Sequence, residues 1–193
     1  MVHLLEEMEG YARVYNVPIM EKEGIQFLTS LIREHQIKSI LEIGSAIGYS
    51  AIQMALIDPE IRITTIERDE IRYQEAVKNI EKAELKNRIT ILFMDAFSAS
   101  FETSFDMIFI DAAKSQYTKF FEKFKQNLNE NGIIVTDNLK FHGLVGHAEE
   151  IKSKNLRSMV RKIQNYLQFL NENEEFHTTF YEIGDGVGVS KRI

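Results

Sequence analysis

The chain of 193 residues carries 29 acidic and 23 basic residues, and its 44% hydrophobic and 27% charged composition is typical of a globular domain with a sizeable core. The net charge of -6 excludes a generally basic coat for nucleic acid, although it permits a local basic patch. Cysteine is absent, which excludes disulfides, thiolate metal sites and a cysteine nucleophile, and favours a cytoplasmic location. The apolar runs are too short or too interrupted by charges to cross a membrane, so we expect one soluble domain over residues 1–193 with no membrane partner.

The hydrophobic pattern predicts helices and strands that alternate along the chain. Apolar residues at helical spacing indicate two N-terminal helices, at 3–16 and 21–35, and a β-branched run indicates a first strand at 37–43, followed by a turn and a helix. The later strands are predicted at 61–67, 88–94, 105–111 and 132–137, and the later helices at 69–84 and 114–128. Strands joined through helices of about ten or more residues run parallel, so the predicted fold class is α/β and Rossmann-like, with a doubly wound, mostly parallel sheet.

The C-terminal end of the chain predicts a change of strand direction. Segments 176–183 and 186–193 flank Gly184-Asp185-Gly186, a composition typical of a tight hairpin turn. We therefore expect the sheet to finish with an antiparallel hairpin. In open α/β sheets, ligands bind where the carboxyl ends of the strands meet loops and helix N-termini, so functional side chains are expected at those ends.

The segment LEIGSAIGYSAIQMA, residues 41–55, places Gly44 and Gly48 between the first strand and its helix. Gly44 permits a tight turn and the close approach of a ligand, and the helix that starts near Ser50 offers free N–H groups. Two glycines do not make the dinucleotide fingerprint, and Glu42 at the strand end would repel a pyrophosphate. This loop therefore favours a cationic or zwitterionic ligand.

Acidic residues also follow the next two predicted strands. Glu67 ends the second strand, where its carboxylate could accept hydrogen bonds from both hydroxyls of a ribose. Asp95 and the small Ala96 follow the third strand, where they could bind an adenine amino group. Each carboxylate alone could instead cap the following helix or lie in solvent. Their occurrence after successive strands weakens those alternatives and favours a cofactor that contains a nucleoside.

The run FDMIFIDAAK, residues 105–114, ends an apolar strand in Asp111 and places Lys114 at the start of the next helix. Asp137 and Asn138 end the following strand, so we expect them beside Asp111 at one edge of the sheet. Two carboxylates and an amide oxygen form an oxygen-only set that suits Mg²⁺ or another divalent cation, and the Lys114 amine could act there as a positive charge or as a base. The alternatives are a helix cap at Asp111, a solvated Lys114 and a simple turn at Asp137 and Asn138.

As a set, FIDAAK, VTDN and LEIGSAIGYSA resemble the metal-dependent O-methyltransferases related to catechol and caffeoyl-CoA O-methyltransferases. The resemblance extends from VPIMEKEG at 17–24 to GDGVGVSKR at 184–192. It implies a Rossmann-like class I methyltransferase domain that uses S-adenosylmethionine and Mg²⁺ or another divalent cation. The implied metal ligands are Asp111, Asp137 and Asn138, and the implied catalytic residues are Lys114, as the base, and Asp111. The residues implied for the cofactor are Met20, Glu42, Gly44, Ser50, Glu67, Asp95, Ala96 and Asp111.

Within that family, VPIMEK, GSAIGYSAI and DNLKFHGLV are most similar to the bacterial enzymes that methylate 5-hydroxyuridine in tRNA. This implies conversion of 5-hydroxyuridine to 5-methoxyuridine at the wobble position, with the tRNA anticodon loop as partner and a cytoplasmic homodimer. Family members usually carry a further helix before the one predicted here at 3–16. Phe141 and His142, which follow the implied metal ligands, could stack on a flat substrate or pack under a loop.

Two substrate classes fit the implied catalytic core. A divalent cation can chelate the 5-hydroxyl and O4 carbonyl of 5-hydroxyuridine, or the two hydroxyls of a catechol. A small-molecule, catechol-type O-methyltransferase is therefore the alternative function. A regulatory module that only binds the cofactor is less favoured, because it would not need Asp111, Lys114, Asp137 and Asn138 together.

The segment at 151–170 favours an RNA substrate. The residues predicted to face inward at helical spacing are Leu156, Met159, Val160, Ile163, Leu167 and Leu170. Lys154, Arg157 and Arg161 align on another face, where they could contact the phosphates of an anticodon loop. A solvated helix face is the alternative for these three residues.

Overall fold

The structure is a computed structural model that describes residues 1–140, 143–145, 149 and 151–193. Its α-helices are α1 (Val2–Tyr15), α2 (Lys22–Glu34), α3 (Tyr49–Ala55), α4 (Glu70–Lys82), α5 (Tyr117–Phe124) and α6 (Lys154–Asn171). Its strands are β1 (Ser39–Ile43), β2 (Arg62–Glu67), β3 (Ile89–Phe93), β4 (Phe105–Ile110), β5 (Leu128–Thr136), β6 (Phe176–Tyr181) and β7 (Val187–Arg192). Short 3-10 turns occur at Ala96–Ser98, Lys114–Gln116 and Lys125–Asn127.

The strands form a seven-stranded mixed sheet in the order β3-β2-β1-β4-β5-β7-β6. β1 and β3 each pair with β2 in parallel, and β4 pairs with β5 in parallel. β7 pairs antiparallel with both β5 and β6. The predicted α/β Rossmann-like fold, with a mostly parallel sheet and an antiparallel C-terminal hairpin, is therefore confirmed.

The chain divides into two compact units, residues 1–100 and 101–193. In the first unit, β1 is buried on both faces, with Ile40 and Leu41 fully buried, and Leu28 of α2 is also fully buried. In the second unit, residues 107–110 of β4 and 133–135 of β5 are fully buried. Strands buried on both faces are typical of parallel sheets covered by helices, which explains their continuous apolar runs.

The boundary between α5 and β5 differs from the predicted helix at 114–128 and strand at 132–137. The α-helix ends at Phe124, and β5 already begins at Leu128, which pairs with Phe105. The next pair in register is Met107 with Ile133, so β5 contains extra residues opposite a short stretch of β4. Asn129 in this irregular stretch donates from Nδ2 to the Asp106 carboxylate at 2.6 Å. Pairing with β4 thus overrides the local helical pattern.

The inward face of α6 also differs in part from the predicted stripe. Val160, Ile163 and Leu170 are buried as predicted, but Met159 is 37% exposed. Tyr166, which the apolar stripe left out, is 1% exposed and lies edge-to-face with Tyr117 at 5.3 Å between ring centroids. An aromatic cluster therefore sets the orientation of α6. Among the described residues, no helix combines the length and apolar character needed to span a bilayer.

We expect Gly132→Ala to destabilise the protein by about 2 kcal/mol, because overpacking a closed core site forces the backbone to move. A Cβ at Gly132 would lie 2.8 Å from the Asp106 carbonyl oxygen and 2.8 Å from Leu128 Cδ1. Urea unfolding measures the loss. The matched control is Gly10→Ala in α1, where a Cβ meets nothing within 4 Å and alanine should stabilise the helix by about 0.5–1 kcal/mol. Equal stability of the two variants would contradict the close packing at β5.

Candidate functional site

The loop between β1 and α3 is held against the end of β2 by main-chain hydrogen bonds. The N–H groups of Gly44 and Ser45 donate to the Ile66 carbonyl at 3.0 and 3.1 Å. Gly44 and Gly48 have φ values of 99° and 83°, a region that glycine occupies without strain. The two glycines thus allow the tight turn that sequence analysis predicted for this loop. Gly48 immediately precedes the first residue of α3.

Glu42 and Ser50 contact each other in the interior of the first unit. Glu42 is fully buried, and its two carboxylate oxygens accept hydrogen bonds from Ser50 Oγ and Thr65 Oγ1, each at 2.5 Å. A buried carboxylate needs such donors because it has lost its hydration. These two hydrogen bonds therefore connect β1 to α3 and to β2. The part played by Thr65 was not predicted from sequence, because it depends on the register between β1 and β2.

Glu67 organises the main chain around it. Its Oε2 accepts the Ala46 N–H at 2.9 Å, and its Oε1 accepts the N–H groups of Arg68 and Asp69, both at 2.9 Å. A carboxylate has about four acceptor positions, so three main-chain donors leave it some capacity for a ligand. Glu67 is 8% exposed, and it joins the loop after β1 to the turn after β2.

Asp95 and Ala96 form the turn that follows β3. Asp95 caps the 3-10 turn by accepting the Phe97 N–H at 2.8 Å, and Arg68 Nη1 lies 3.4 Å from its other oxygen. Ala96 is buried, whereas the Phe97 and Phe93 rings on either side are 41% and 50% exposed. Sequence analysis did not select these two aromatic residues, although their positions beside Asp95 and Ala96 were visible.

Met20 lies in the connection between α1 and α2. It is 5% exposed, and its side chain packs against Gly24 in α2. An open cavity of about 730 Å³ is lined by Met20, Tyr49 and residues of α1, α2 and their connection, but not by Glu42, Glu67 or Asp95. At this cavity, the Tyr49 hydroxyl donates to Glu9 Oε1 at 2.7 Å, and Lys22 pairs with Glu9 at 3.0 Å. These contacts hold α1 beside the start of α3.

In the second unit, the ends of β4 and β5 bring the predicted polar residues together. The Asp137 N–H donates to the Ile110 carbonyl at 3.2 Å, which aligns the two strand ends. The Lys114 ammonium donates to Asn138 Oδ1, and Asn138 Nδ2 donates to Asp137 Oδ2 at 3.2 Å. Asn138 adopts a left-handed backbone conformation, with φ of 60°. Asparagine tolerates this region better than most residues do, so residue type and local geometry agree.

The two aspartates influence each other's protonation. Burial raises the pKa of Asp137 to about 7, the negative charge of Asp111 adds to this rise, and the Asn138 N–H and Lys114 oppose it. Asp111 is partly accessible, yet protein atoms surround its carboxylate, so burial raises its pKa while Lys114 lowers it. Two neighbouring carboxylates in a poorly hydrated place favour an added positive charge. We call Asp111, Lys114, Asp137 and Asn138 the acidic centre.

Two further residues act on Asp137 and were not predicted from sequence. Asp185, in the turn between β6 and β7, is 8% exposed, and its charge adds to the rise in the pKa of Asp137. Its carbonyl accepts the Lys140 N–H at 2.7 Å, which fixes the turn beside the end of β5. Tyr117, the first residue of α5, donates from its hydroxyl to the Asp137 carbonyl at 3.0 Å. The sequence offered only turn composition for Asp185 and an apolar position for Tyr117.

The donor types of the acidic centre fit a hard divalent cation. Within the described ranges, no three or more His, Cys, Asp or Glu side chains are grouped so that they could hold a metal. A cation here would therefore depend on two carboxylates, the Asn138 amide oxygen and water, which is the mixed coordination that Mg²⁺ accepts. Asn138 Oδ1 already accepts from the Lys114 ammonium, so this oxygen lies where positive charge is favourable.

The basic residues of α6 do not form a uniform surface. Arg157 donates from Nε and Nη2 to the Ile151 carbonyl at 3.0 and 2.6 Å, so it fastens the chain that leads into the helix. Arg161 pairs with Glu149 at 2.8 Å and remains 55% exposed, and Lys154 is exposed. Only Lys154 and Arg161 of the three predicted RNA contacts therefore present their charges outward. Phe141 and His142 lie outside the described residues.

Comparison with known proteins identifies the family of the chain. The model of a family described as O-methyltransferase matches residues 2–193. The chain is 28% identical over 192 residues to a caffeoyl-CoA O-methyltransferase of Populus kitakamiensis. The aligned region covers 95% of this chain and 81% of that protein.

Solved structures are similar over nearly the whole chain. A Staphylococcus aureus protein, crystallised as a candidate caffeoyl-CoA O-methyltransferase, has a TM-score of 0.94 and 38% identity, covering 98% of this chain and 92% of that one. A Bacillus cereus O-methyltransferase in complex with SAH has a TM-score of 0.84 and 25% identity, covering 99% of this chain and 91% of that one. From its second residue to its last, the chain belongs to the O-methyltransferase family.

Proposed function

We propose that this protein is an S-adenosylmethionine-dependent O-methyltransferase that converts 5-hydroxyuridine to 5-methoxyuridine at the wobble position of tRNA. The observation that carries the proposal is the acidic centre, in which Lys114 contacts Asn138 and Asn138 contacts Asp137. Family membership supports methyl transfer to an oxygen. The exposed cations of α6 and the resemblance of the motifs to tRNA-modifying enzymes support the substrate class. A homodimer and a cytoplasmic location stay predictions.

The loops after β1, β2 and β3 would hold the cofactor. Glu67 would accept the ribose hydroxyls with its remaining acceptor capacity, and Asp95 with Ala96 would bind the adenine. The loop at Gly44 would receive the methionine end, supported from below by Glu42 and Ser50. Ser45 fits this role, because its Oγ is buried and finds no hydrogen-bond partner among the described residues. SAH in the Bacillus cereus relative supports the same class of cofactor.

Asp111, Asp137 and Asn138 would hold a divalent cation. When bound, the cofactor supplies an electrophilic methyl group, and the cation supplies positive charge that makes a nearby hydroxyl more acidic. Lys114 would act as the base: its ammonium would first release a proton to solvent, and the neutral Nζ would then accept the proton of the substrate hydroxyl. The contact between Lys114 and Asn138 Oδ1 supports this role, because it keeps Nζ at the acidic centre.

The substrate class rests on the surface of α6. Lys154 and Arg161 lie seven positions apart, about two helical turns, and therefore share one face of the helix. Both could contact phosphates of an anticodon loop whose unstacked base reaches the acidic centre. A catechol has no phosphate to contact these residues, so the alternative substrate would leave them without a role in binding.

We expect Glu67→Gln to weaken the binding of S-adenosylhomocysteine about tenfold, or about 1.4 kcal/mol, because the substitution replaces a charged acceptor by a neutral amide. Isothermal titration calorimetry measures the affinity. Glutamine is a better test than alanine, since alanine would also remove support from the loop at Ala46. Glu70→Gln is the matched control, an exposed residue of α4 that should bind normally. Unchanged affinity in Glu67→Gln would contradict the ribose assignment.

We expect Asp137→Asn and exhaustive chelation each to reduce methyl transfer by at least about a hundredfold, because a neutral hydroxyl is a poor nucleophile. Activity lost by chelation should return when Mg²⁺ or Mn²⁺ is added. Glu130→Gln, at an exposed position of β5, serves as the control and should retain its activity. Full activity after chelation would remove the divalent cation from the mechanism.

We expect the double variant Lys154→Glu and Arg161→Glu to raise the apparent KM for tRNA and to flatten its salt dependence. Each lost phosphate contact should lower the slope of log affinity against log salt by about 0.7–0.9. The assay uses tRNA that carries 5-hydroxyuridine, with a small catechol as second substrate. The exposed Lys119→Glu of α5 controls for the reversal of one surface charge away from α6. Ready turnover of the catechol without methylation of that tRNA would favour the small-molecule function instead.

A further inference from the structure

Three successive residues at the end of β5 accept or share hydrogen bonds from side chains outside the sheet. The Thr136 hydroxyl lies 2.8 Å from the Tyr166 hydroxyl of α6. The Asp137 carbonyl accepts the Tyr117 hydroxyl of α5 at 3.0 Å, and Asn138 Oδ1 accepts the Lys114 ammonium. Each residue from 136 to 138 is therefore hydrogen-bonded to a side chain of α6, of α5 or of the 3-10 turn that precedes α5.

The two tyrosines are buried and packed against other aromatic rings. Each is 1% exposed, and their rings meet edge-to-face at 5.3 Å between centroids. The Phe121 ring lies 6.4 Å from the Tyr166 ring, and the Phe169 ring lies 6.0 Å from it in a stacked arrangement. A buried tyrosine hydroxyl requires a partner, and here both partners belong to the last residue of β5 or the one after it. The hydroxyls thus have little freedom to bond elsewhere.

This anchoring matters because the backbone turns sharply after β5. Asn138 has φ of 60°, and a residue other than glycine keeps such a conformation only when its surroundings stabilise it. Tyr117 holds the carbonyl that immediately precedes this turn. Loss of that hydrogen bond would remove a donor from the Asp137 carbonyl and would allow the turn to shift.

We propose that Tyr117 and Tyr166 are positioning residues: they fix the chain at 136–138 so that the Asp137 and Asn138 side chains hold one geometry. This inference rests on the proposed function for the acidic centre. It assigns the buried face of α6 a role in holding the end of β5, because Tyr166 lies on the same helix as Lys154 and Arg161. The helix proposed to meet tRNA would also hold the end of the strand that carries Asp137.

The test uses Tyr117→Phe and Tyr166→Phe, which remove a hydroxyl and keep the ring. The matched control is Thr178→Val, because Thr178 Oγ1 and Ser190 Oγ form another hydroxyl pair at 2.8 Å in the β6–β7 hairpin. Each full-length variant is compared with wild type in urea unfolding, in Mn²⁺ titration by calorimetry and in amide hydrogen exchange over residues 136–139.

We expect all three variants to shift the urea midpoint by similar amounts, but only the tyrosine variants to weaken Mn²⁺ binding. The expected loss of affinity is about tenfold, because removing a hydrogen bond that orients metal ligands typically has an effect of that size. The tyrosine variants should also lower kcat with an unchanged KM for S-adenosylmethionine. Amide exchange at 136–139 should accelerate in them alone. A control that loses stability without losing Mn²⁺ affinity separates positioning from general destabilisation.

Wild-type Mn²⁺ affinity in both tyrosine variants would overturn the inference. Should wild-type protein bind no Mn²⁺, the cation assignment in the proposed function fails, and the exchange data then decide the positioning role by themselves. Faster exchange at 136–139 in the tyrosine variants, but not in Thr178→Val, would support it. Equal exchange in all variants would overturn it.

Discussion

A carboxylate buried at the end of a β-strand is costly unless hydrogen bonds or opposite charge compensate for its lost hydration. This constraint explains the polar contacts at the ends of β1, β2 and β5. At β5, the cost is only partly met, since burial and the charge of Asp111 raise the pKa of Asp137 to about 7. Lys114 supplies nearby positive charge through Asn138. Two neighbouring carboxylates in a poorly hydrated place favour an added positive charge, and the proposed chemistry depends on this property of the acidic centre.

The first unit meets the same constraint with neutral donors. Glu42 is satisfied by two hydroxyls, and Glu67 by three main-chain N–H groups. Both carboxylates are therefore compensated by hydrogen bonds from the protein itself. Glu67 instead shapes the loop that a cofactor would touch, and it retains some acceptor capacity for the cofactor itself. Such preorganisation reduces the free energy that ligand binding must spend on ordering the loop.

α6 contacts the end of β5 with its inner face and carries exposed basic residues on its outer face. Its inner face contributes Tyr166 to an aromatic cluster and to the end of β5, whereas its outer face carries Lys154 and Arg161. Arg157, which sequence periodicity placed with the outer cations, instead binds the Ile151 carbonyl. A helix whose start and inner face are both fastened is a rigid element, and rigid elements position functional groups more accurately than loops do.

The sequence alone determined the alternation of helices and strands, the C-terminal hairpin and the strand ends at which Glu67, Asp95, Asp111 and Asp137 lie. These features follow from hydrophobic periodicity and turn composition, which are local properties. Only the tertiary structure decided that α5 stops at Phe124 and that Tyr166 is buried where Met159 is exposed. It also decided that the charge of Asp185 and the hydroxyl of Tyr117 act on Asp137. Each of these outcomes depends on strand register or on contacts between residues about 20 to 50 positions apart in the chain, and local patterns do not encode such pairings.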